Sequence, residues 1–316
     1  MPTNRRQVIL ANIMLITATI IWGFNFIFQK DASGVVGPLT FIFVRYFLGA
    51  ITILIFILAT EKRKPIEERT PYTKESFRKL FILGCIICIP HVICQFFCQW
   101  GIGFTTASKA AFLTATYIVV IPILAFIIFR KKTSFNALLG VVIGVVGLYN
   151  LSITGDFQIN PGDAFVMIGA SFGAFHILMI SRLVQSNTNG IHLTCIEFFA
   201  GACYSLILAL LIEKPTFAQL WECMDSLLFA AILGTGICQM LQVSAQKYTD
   251  PTVAALIMSL ESLFGAIAGV IFLGETFTAK ELFGAAVLTV AVVIAQLNPK
   301  PKTVAKEIPD DKRNDE

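Results

Sequence analysis

Long apolar stretches alternate with short polar ones along the whole chain. Ten apolar stretches are each about 20 residues long, which is what a helix needs to cross roughly 30 Å of hydrocarbon. They are Val8–Phe28, Gly37–Ala59, Phe77–Gln99, Thr105–Phe129, Phe135–Leu151, Pro161–Ile180, Ile191–Ile212, Asp225–Gln246, Pro251–Leu273 and Ala279–Leu297. The pattern predicts ten membrane-spanning helices. The segments between them are short, apart from Thr60–Ser76 and Glu213–Met224. Residues 298–316 are charged and contain proline, and read as a disordered tail. The first stretch is too long for the core of a signal peptide and lacks a clear cleavage site, so it reads as a span.

The layout occurs twice. Phe104 to Leu151, moved by 144 residues, lies without a gap on Tyr248 to Ala295. Thr105 falls on Thr249, Ala110 on Ala254, Leu138 on Leu282 and Gly140 on Gly284; further back, Cys94-Gln95 falls on Cys238-Gln239. Two homologous membrane halves follow, 8–151 and 161–297. Each holds five spans. An odd number starts the second half from the opposite face, so the expected fold is all-α and integral to the membrane, with ten transmembrane helices as two inverted five-helix repeats. Such repeats place a substrate site near the midplane, between the halves.

Composition supports the membrane reading: 56% of the residues are hydrophobic and 14% charged, against roughly a quarter charged in soluble domains. The net charge of +4 is no sign of nucleic-acid binding, because the basic residues sit in loops and tails. With the N-terminus inside, nineteen Lys and Arg fall on the inner side and three, Lys30, Lys214 and Lys280, on the outer. By the positive-inside rule both termini are cytoplasmic, in a plasma (inner) membrane. The eight cysteines lie mostly in apolar runs and read as free thiols rather than a disulfide framework.

Polar residues inside spans are the candidates for function, because they are expensive in lipid. Glu261 lies about 15 Å into span nine, near the midplane. It reads as a substrate contact or proton carrier, or as a structural carboxylate bonded to a neighbour. Tyr117 holds the same repeat position as Glu261 and is expected to face it. Trp22, Asn25 and Gln29 share one face of span one, and Gln239, Gln242 and Gln246 one face of span eight. Span three carries Cys88, His91, Cys94, Gln95, Cys98 and Gln99 within one sector of roughly 140°. That set reads as a cavity wall or as packing; its soft ligands would also suit zinc or copper(I), though a continuous helix spreads them along its axis. Lys109, one turn inside span four, can meet a substrate carboxylate or snorkel to lipid. Arg45 is expected to snorkel outward as an anchor, Glu197 in the related place of span seven to be structural or a gating pair, and His176 in span six to pack or hydrogen-bond. The substrate-contact set is thus Trp22, Asn25, His91, Gln95, Gln99, Lys109, Tyr117, His176, Gln239, Gln242 and Glu261. No metal or cofactor is assigned.

The sequence resembles the drug/metabolite transporter superfamily, in its ten-helix form with two EamA-like halves. The residues that carry the likeness are Trp22-Gly-Phe-Asn-Phe26, Arg45, the run from Thr106 to Thr114 with Pro122, Leu260-Glu-Ser262 and Gly274-Glu-Thr276. The resemblance covers residues 8–297. It implies a transporter of small metabolites, commonly an exporter, with a cavity lined by spans one, three, four, six, eight and nine. Two departures stand out: Gly274-Glu-Thr276 has no counterpart after span four, where Arg130-Lys-Lys132 stands, and the Cys/His/Gln set of span three is unusual.

These observations lead to export of amino acids or similar amphipathic solutes by alternating access, as a facilitator or coupled to protons through Glu261. Exchange of nucleotide sugars or phosphorylated metabolites would want more cations than Lys109 and Arg45. An enzyme is disfavoured, since HExxH and GxSxG motifs are missing and there are only three histidines. A membrane sensor or scaffold is the rival of another class. Expected partners are a small-molecule substrate and the bilayer, with no nucleic acid, in a monomer or homodimer. Gly140-xxx-Gly144 serves either dimerisation or the packing of spans five and ten.

Overall fold

The computed structural model describes residues 5–63, 73–105, 107–130, 132–152, 160–186, 188–273 and 278–297. The tail 298–316 and the Gly274-Glu-Thr276 motif lie outside them. The described residues are helical, without strands. In chain order the helices are α1 (Arg5–Ala32), α2 (Pro38–Arg63), α3 (Lys74–Phe104), α4 (Ala107–Ala115), α5 (Tyr117–Phe129), α6 (Phe135–Ser152), α7 (Pro161–Gln185), α8 (Gly190–Ile212), α9 (Phe217–Glu222), α10 (Met224–Leu228), α11 (Cys238–Gln246), α12 (Pro251–Met258), α13 (Glu261–Leu273) and α14 (Ala279–Gln296). A π-helical segment, Phe229–Ile237, joins α10 to α11.

Among the described residues nine apolar stretches are long enough to cross a membrane, and α6, whose apolar part is Phe135–Leu151, falls just short of them. At 1.5 Å per residue its 18 residues span about 27 Å, as do those of α14, with which it pairs. The outward surface is apolar: Leu211, Ile212, Phe135 and Ile271 are each more than 60% exposed. Side chains of this kind face lipid at no cost, whereas in water such a surface would aggregate.

The sequence predicts spans three, four, eight and nine as unbroken helices; span three stays one helix, α3, and the other three are interrupted. Span four breaks at Thr116 into α4 and α5, and span nine at Ser259-Leu260 into α12 and α13. Thr116 and Leu260 are 144 residues apart, the repeat offset. Span three contains Pro90, which removes one backbone donor; its repeat position is Gly234, inside the π-helical segment. Apolar periodicity does not register such breaks, because the side chains on either side stay apolar.

The packing follows the repeat as well. α3 lies along α7, and α1 along α11, its repeat equivalent; α1 meets α13 where α7 meets α4 and α5; α2 meets the π-helical segment where α8 meets α3. α2 pairs with α8 and α6 with α14, each helix with its own counterpart. Exchanging the halves therefore maps these pairings onto themselves. Small residues permit the closest approaches. A Cβ on Gly147 would lie 2.6 Å from Leu288 N, and one on Gly140 2.9 Å from Ala291 O. Gly140 thus packs α6 on α14 within the chain.

Charges at helix ends hold several of these termini. Glu213 accepts from Leu39 N and Thr40 N, both at 2.8 Å, at the start of α2. Lys30 Nζ donates to the carbonyls of Ile102 (2.9 Å) and Thr105 (2.8 Å) at the end of α3. Both satisfy backbone groups that a helix end leaves unpaired, with the sign of charge the helix dipole favours.

Candidate functional site

A central cavity of about 120 Å³ lies between the halves. From α1 it takes Trp22, Asn25, Phe26 and Gln29; from α2, Arg45; from α3, His91, Cys94, Gln95 and Cys98; from α4 and α5, Thr114 and Tyr117; from α7, His176; from α11, Gln239 and Gln242; and from α13, Glu261. An adjoining chamber of about 50 Å³ shares Trp22, Arg45, His91, Gln95 and Gln239 and is floored by Tyr46, Phe198, Gly234 and Thr235.

Nine of the eleven residues expected to meet substrate therefore line one cavity: Trp22, Asn25, His91, Gln95, Tyr117, His176, Gln239, Gln242 and Glu261. Gln99 and Lys109 do not. Gln99 lies one turn beyond Gln95, and its Nε2 donates to the Gln29 carbonyl at 3.0 Å. Lys109 Nζ is 2.6 Å from Asp163 Oδ2. Asp163 belongs to a capping box, Asn160-Pro-Gly-Asp163, that starts α7. That fixes the carboxylate where the lysine reaches it, and Lys109 points to it rather than lining the cavity. Gln246 shares the face of Gln242 in the sequence but is buried outside the cavity. Phe24, between Trp22 and Phe26 on α1, does not line the cavity and meets Phe272 edge-on at 5.9 Å.

The helix breaks deliver two of the central groups. Tyr117 is the first residue of α5 and Glu261 the first of α13. They are repeat equivalents, and Tyr117 Oη donates to Glu261 Oε1 at 3.4 Å. A carboxylate at the first turn of a helix is also favoured by the free amides there. Broken helices that meet at mid-membrane are the usual way a transporter fold presents polar groups to a solute.

Arg45 departs most from expectation. It does not snorkel; it is buried in the cavity wall, where Nη1 donates to Gln95 Oε1 (2.9 Å) and Nε to Thr235 Oγ1 (3.0 Å). Its counterpart Glu197 is likewise fully buried. Glu197 Oε1 accepts from His91 Nδ1 and His176 Nε2, each at 2.6 Å, and the two imidazoles stack with centroids 4.0 Å apart. His91 and Thr235 are themselves 144 residues apart. Arg45 bonds Thr235 as Glu197 bonds His91, so one contact is made in both halves with opposite charges. The repeat offsets were the available signal for this pairing. The partners Asp163 and His176 had none, since they arrive from other helices.

The cavity also holds amide oxygens without partners among the described residues. Asn25 Oδ1 and Gln239 Oε1 are buried and unbonded, and such groups are unfavourable unless something in the cavity meets them. Trp22 Nε1 donates to the Gly234 carbonyl at 2.7 Å, within the π-helical segment, where the ladder is locally widened. The eight cysteines are free; five are buried and Cys203 is exposed.

The model of the EamA-like transporter family matches the chain twice, over residues 9–153 and 160–296. An uncharacterized transporter of Archaeoglobus fulgidus is 29% identical over 290 residues, covering 91% of this chain and 86% of the relative. The uncharacterized transporter YoaV of Bacillus subtilis is 22% identical, covering 86% and 91%. A chloroplastic WAT1-related protein of Arabidopsis thaliana is 22% identical, covering 89% and 68%. One solved crystal structure superposes with a TM-score of 0.71 at 15% identity, covering 91% of this chain and 96% of the other, which shows a shared fold. With both matches together covering nearly the whole chain, this multi-pass membrane protein belongs to the EamA-like transporter family, a family of transporters rather than enzymes.

Proposed function

We propose that the protein exports a small zwitterionic metabolite, such as an amino acid, by alternating access between its two five-helix halves. The membrane is the plasma (inner) membrane, with both termini cytoplasmic. One observation carries the reading: a buried guanidinium, Arg45, and a buried carboxylate, Glu261, line the same cavity. Arg45 suits an α-carboxylate and Glu261 an α-ammonium. Trp22, Phe26 and Tyr117 offer apolar surface to a side chain, and Asn25 and Gln239 supply the unmet acceptors. The cavity, well below the roughly 300–1,000 Å³ typical of sites for drug-sized ligands, favours a small solute.

The alternative of a nucleotide-sugar or phosphorylated-metabolite exchanger is weakened by the pairing of Lys109 with Asp163, which leaves Arg45 as the cation in the cavity wall. Glu261 is also the group placed to carry a proton, because it faces the cavity and lies at mid-membrane depth.

The test is transport by the purified chain in liposomes loaded with a pooled metabolite extract, with loss of each solute read by mass spectrometry. Selective loss of amino acids is expected. Loss confined to phosphorylated solutes would move the reading to the exchanger; folded protein that binds solutes and releases none would make it a sensor. In Glu261→Gln vesicles the response to an imposed pH gradient should vanish, and an unchanged response removes the proton role.

A further inference from the structure

We infer that His91, His176 and Glu197 form a binding site for a divalent transition-metal ion of the zinc type, at the edge of the central cavity. The three come from α3, α7 and α8, far apart in the chain and drawn together by the fold. Their ligand atoms lie within 4.8 Å of one another, and all three side chains are buried.

The hydrogen bonding points beyond a structural ion pair. A carboxylate meeting two imidazole donors would ordinarily offer one oxygen to each. Here both ring nitrogens converge on Oε1, while Oε2 is buried without a partner among the described residues. Nδ1 of His91 and Nε2 of His176 each lie 2.6 Å from Oε1, and the two rings stack with centroids 4.0 Å apart. Two imidazoles and one carboxylate are a donor set suited to zinc, and also to nickel and cobalt. At metal–ligand distances near 2.1 Å, tetrahedral neighbours sit roughly 3.3 Å apart, so each nitrogen–oxygen separation must widen by roughly 0.7 Å. That takes a turn of the Glu197 side chain and a rotation of the two imidazoles out of their stack, so that each ring plane holds the ion; Oε2 is then available as well. His91 and His176 both line the cavity, so the fourth position faces it, where water or a substrate carboxylate can coordinate. His91 belongs to the first half and the other two ligands to the second, so a bound ion ties the halves together.

The sequence suggested soft-metal chemistry along span three. The structure places Cys94 and Cys98 in the cavity wall, away from the three converging ligand atoms. The inferred site is therefore nitrogen- and oxygen-ligated.

The experiment uses the full chain in detergent, stripped with a chelator and free of metal. Zinc is titrated by calorimetry and cobalt(II) by absorption. The expectation is one saturable site, a cobalt spectrum without a thiolate charge-transfer band, and affinity weakened at least tenfold in both His176→Asn and Glu197→Gln. Cys94→Ser with Cys98→Ser should leave affinity unchanged. Absence of saturable binding, a thiolate band in the cobalt spectrum, or undiminished affinity in both ligand variants overturns the site. If a ligand variant fails to fold, the cobalt spectrum of the unaltered protein still decides. Each readout is of binding, so the result stands apart from whether the chain transports amino acids.

Discussion

Arg45 and Glu197 show how a single side chain changes meaning with its surroundings. Each lies inside a span; from the sequence Arg45 reads as an anchor, because a long cation near a helix end can reach the interface, and Glu197 as a structural group or a gating pair. In the fold both are buried and bonded to repeat-equivalent positions, Thr235 and His91. A charge-assisted hydrogen bond contributes about 1.5–3 kcal/mol, so Arg45→Gln should weaken binding of a carboxylate-bearing solute by roughly 10- to 150-fold. Binding of the decarboxylated amine should change little, and equilibrium binding of both ligands checks it. Tyr117→Phe removes the hydroxyl that donates to Glu261. A neutral hydrogen bond is worth roughly 1 kcal/mol, so solute affinity should shift about fivefold, with the protein still folded; a loss of more than two orders of magnitude would mean Tyr117 touches the solute directly. Tyr117 opposite Glu261 was legible, because the 144-residue offset pairs them. Asp163 as the partner of Lys109 was not, since nothing in the local pattern of either residue specifies the other.

At the level of elements, the breaks in spans four and nine and the π-helical segment of span eight bring backbone irregularity to the cavity. Non-helical backbone inside a membrane is tolerated where it is buried in protein or lines a cavity, which is where these occur. α1 lies close to α13 at this level. A Cβ on Gly23 would lie 2.5 Å from Phe264 Cβ and 2.7 Å from Gly265 N, so even alanine forces backbone to move. Gly23→Val should therefore push the halves apart beside the cavity, leaving membrane insertion intact but lowering transport at least tenfold. Expression and orientation assays alongside liposome flux check it, and normal flux would show that the contact is dispensable. The number, order and approximate ends of the spans were readable from apolar run length. Their interruptions were not, because a turn flanked by apolar residues leaves no gap in hydropathy.

At the scale of the molecule, alternating access requires contacts that hold one end shut and then release it. The ion pair of Lys109 with Asp163 joins α4 to α7, and Lys30 ties α1 to the end of α3. In the proposed orientation both stand at the outer end of the bundle. The Lys109–Asp163 pair is only partly exposed, so breaking it has a larger effect than breaking a surface pair. Asp163→Asn should bias the chain toward an outward-open form, and labelling of Cys98 by a membrane-impermeant thiol reagent added outside should speed several-fold. Unchanged labelling would show that the pair is structural.

The sequence by itself determined the membrane class, the ten spans, the internal repeat and most of the residues that face the cavity. Run length, a repeat offset and the expense of polar groups in lipid are all properties of local sequence or of spacing along the chain. Apart from Tyr117 opposite Glu261, only the tertiary structure decided which polar residues meet. The Glu197 carboxylate between two histidines, Arg45 held by Gln95 and Thr235, and Lys109 withdrawn to Asp163 each depend on distances between helices. Those distances are set by the packing of small residues across the two halves, and no single helix encodes them.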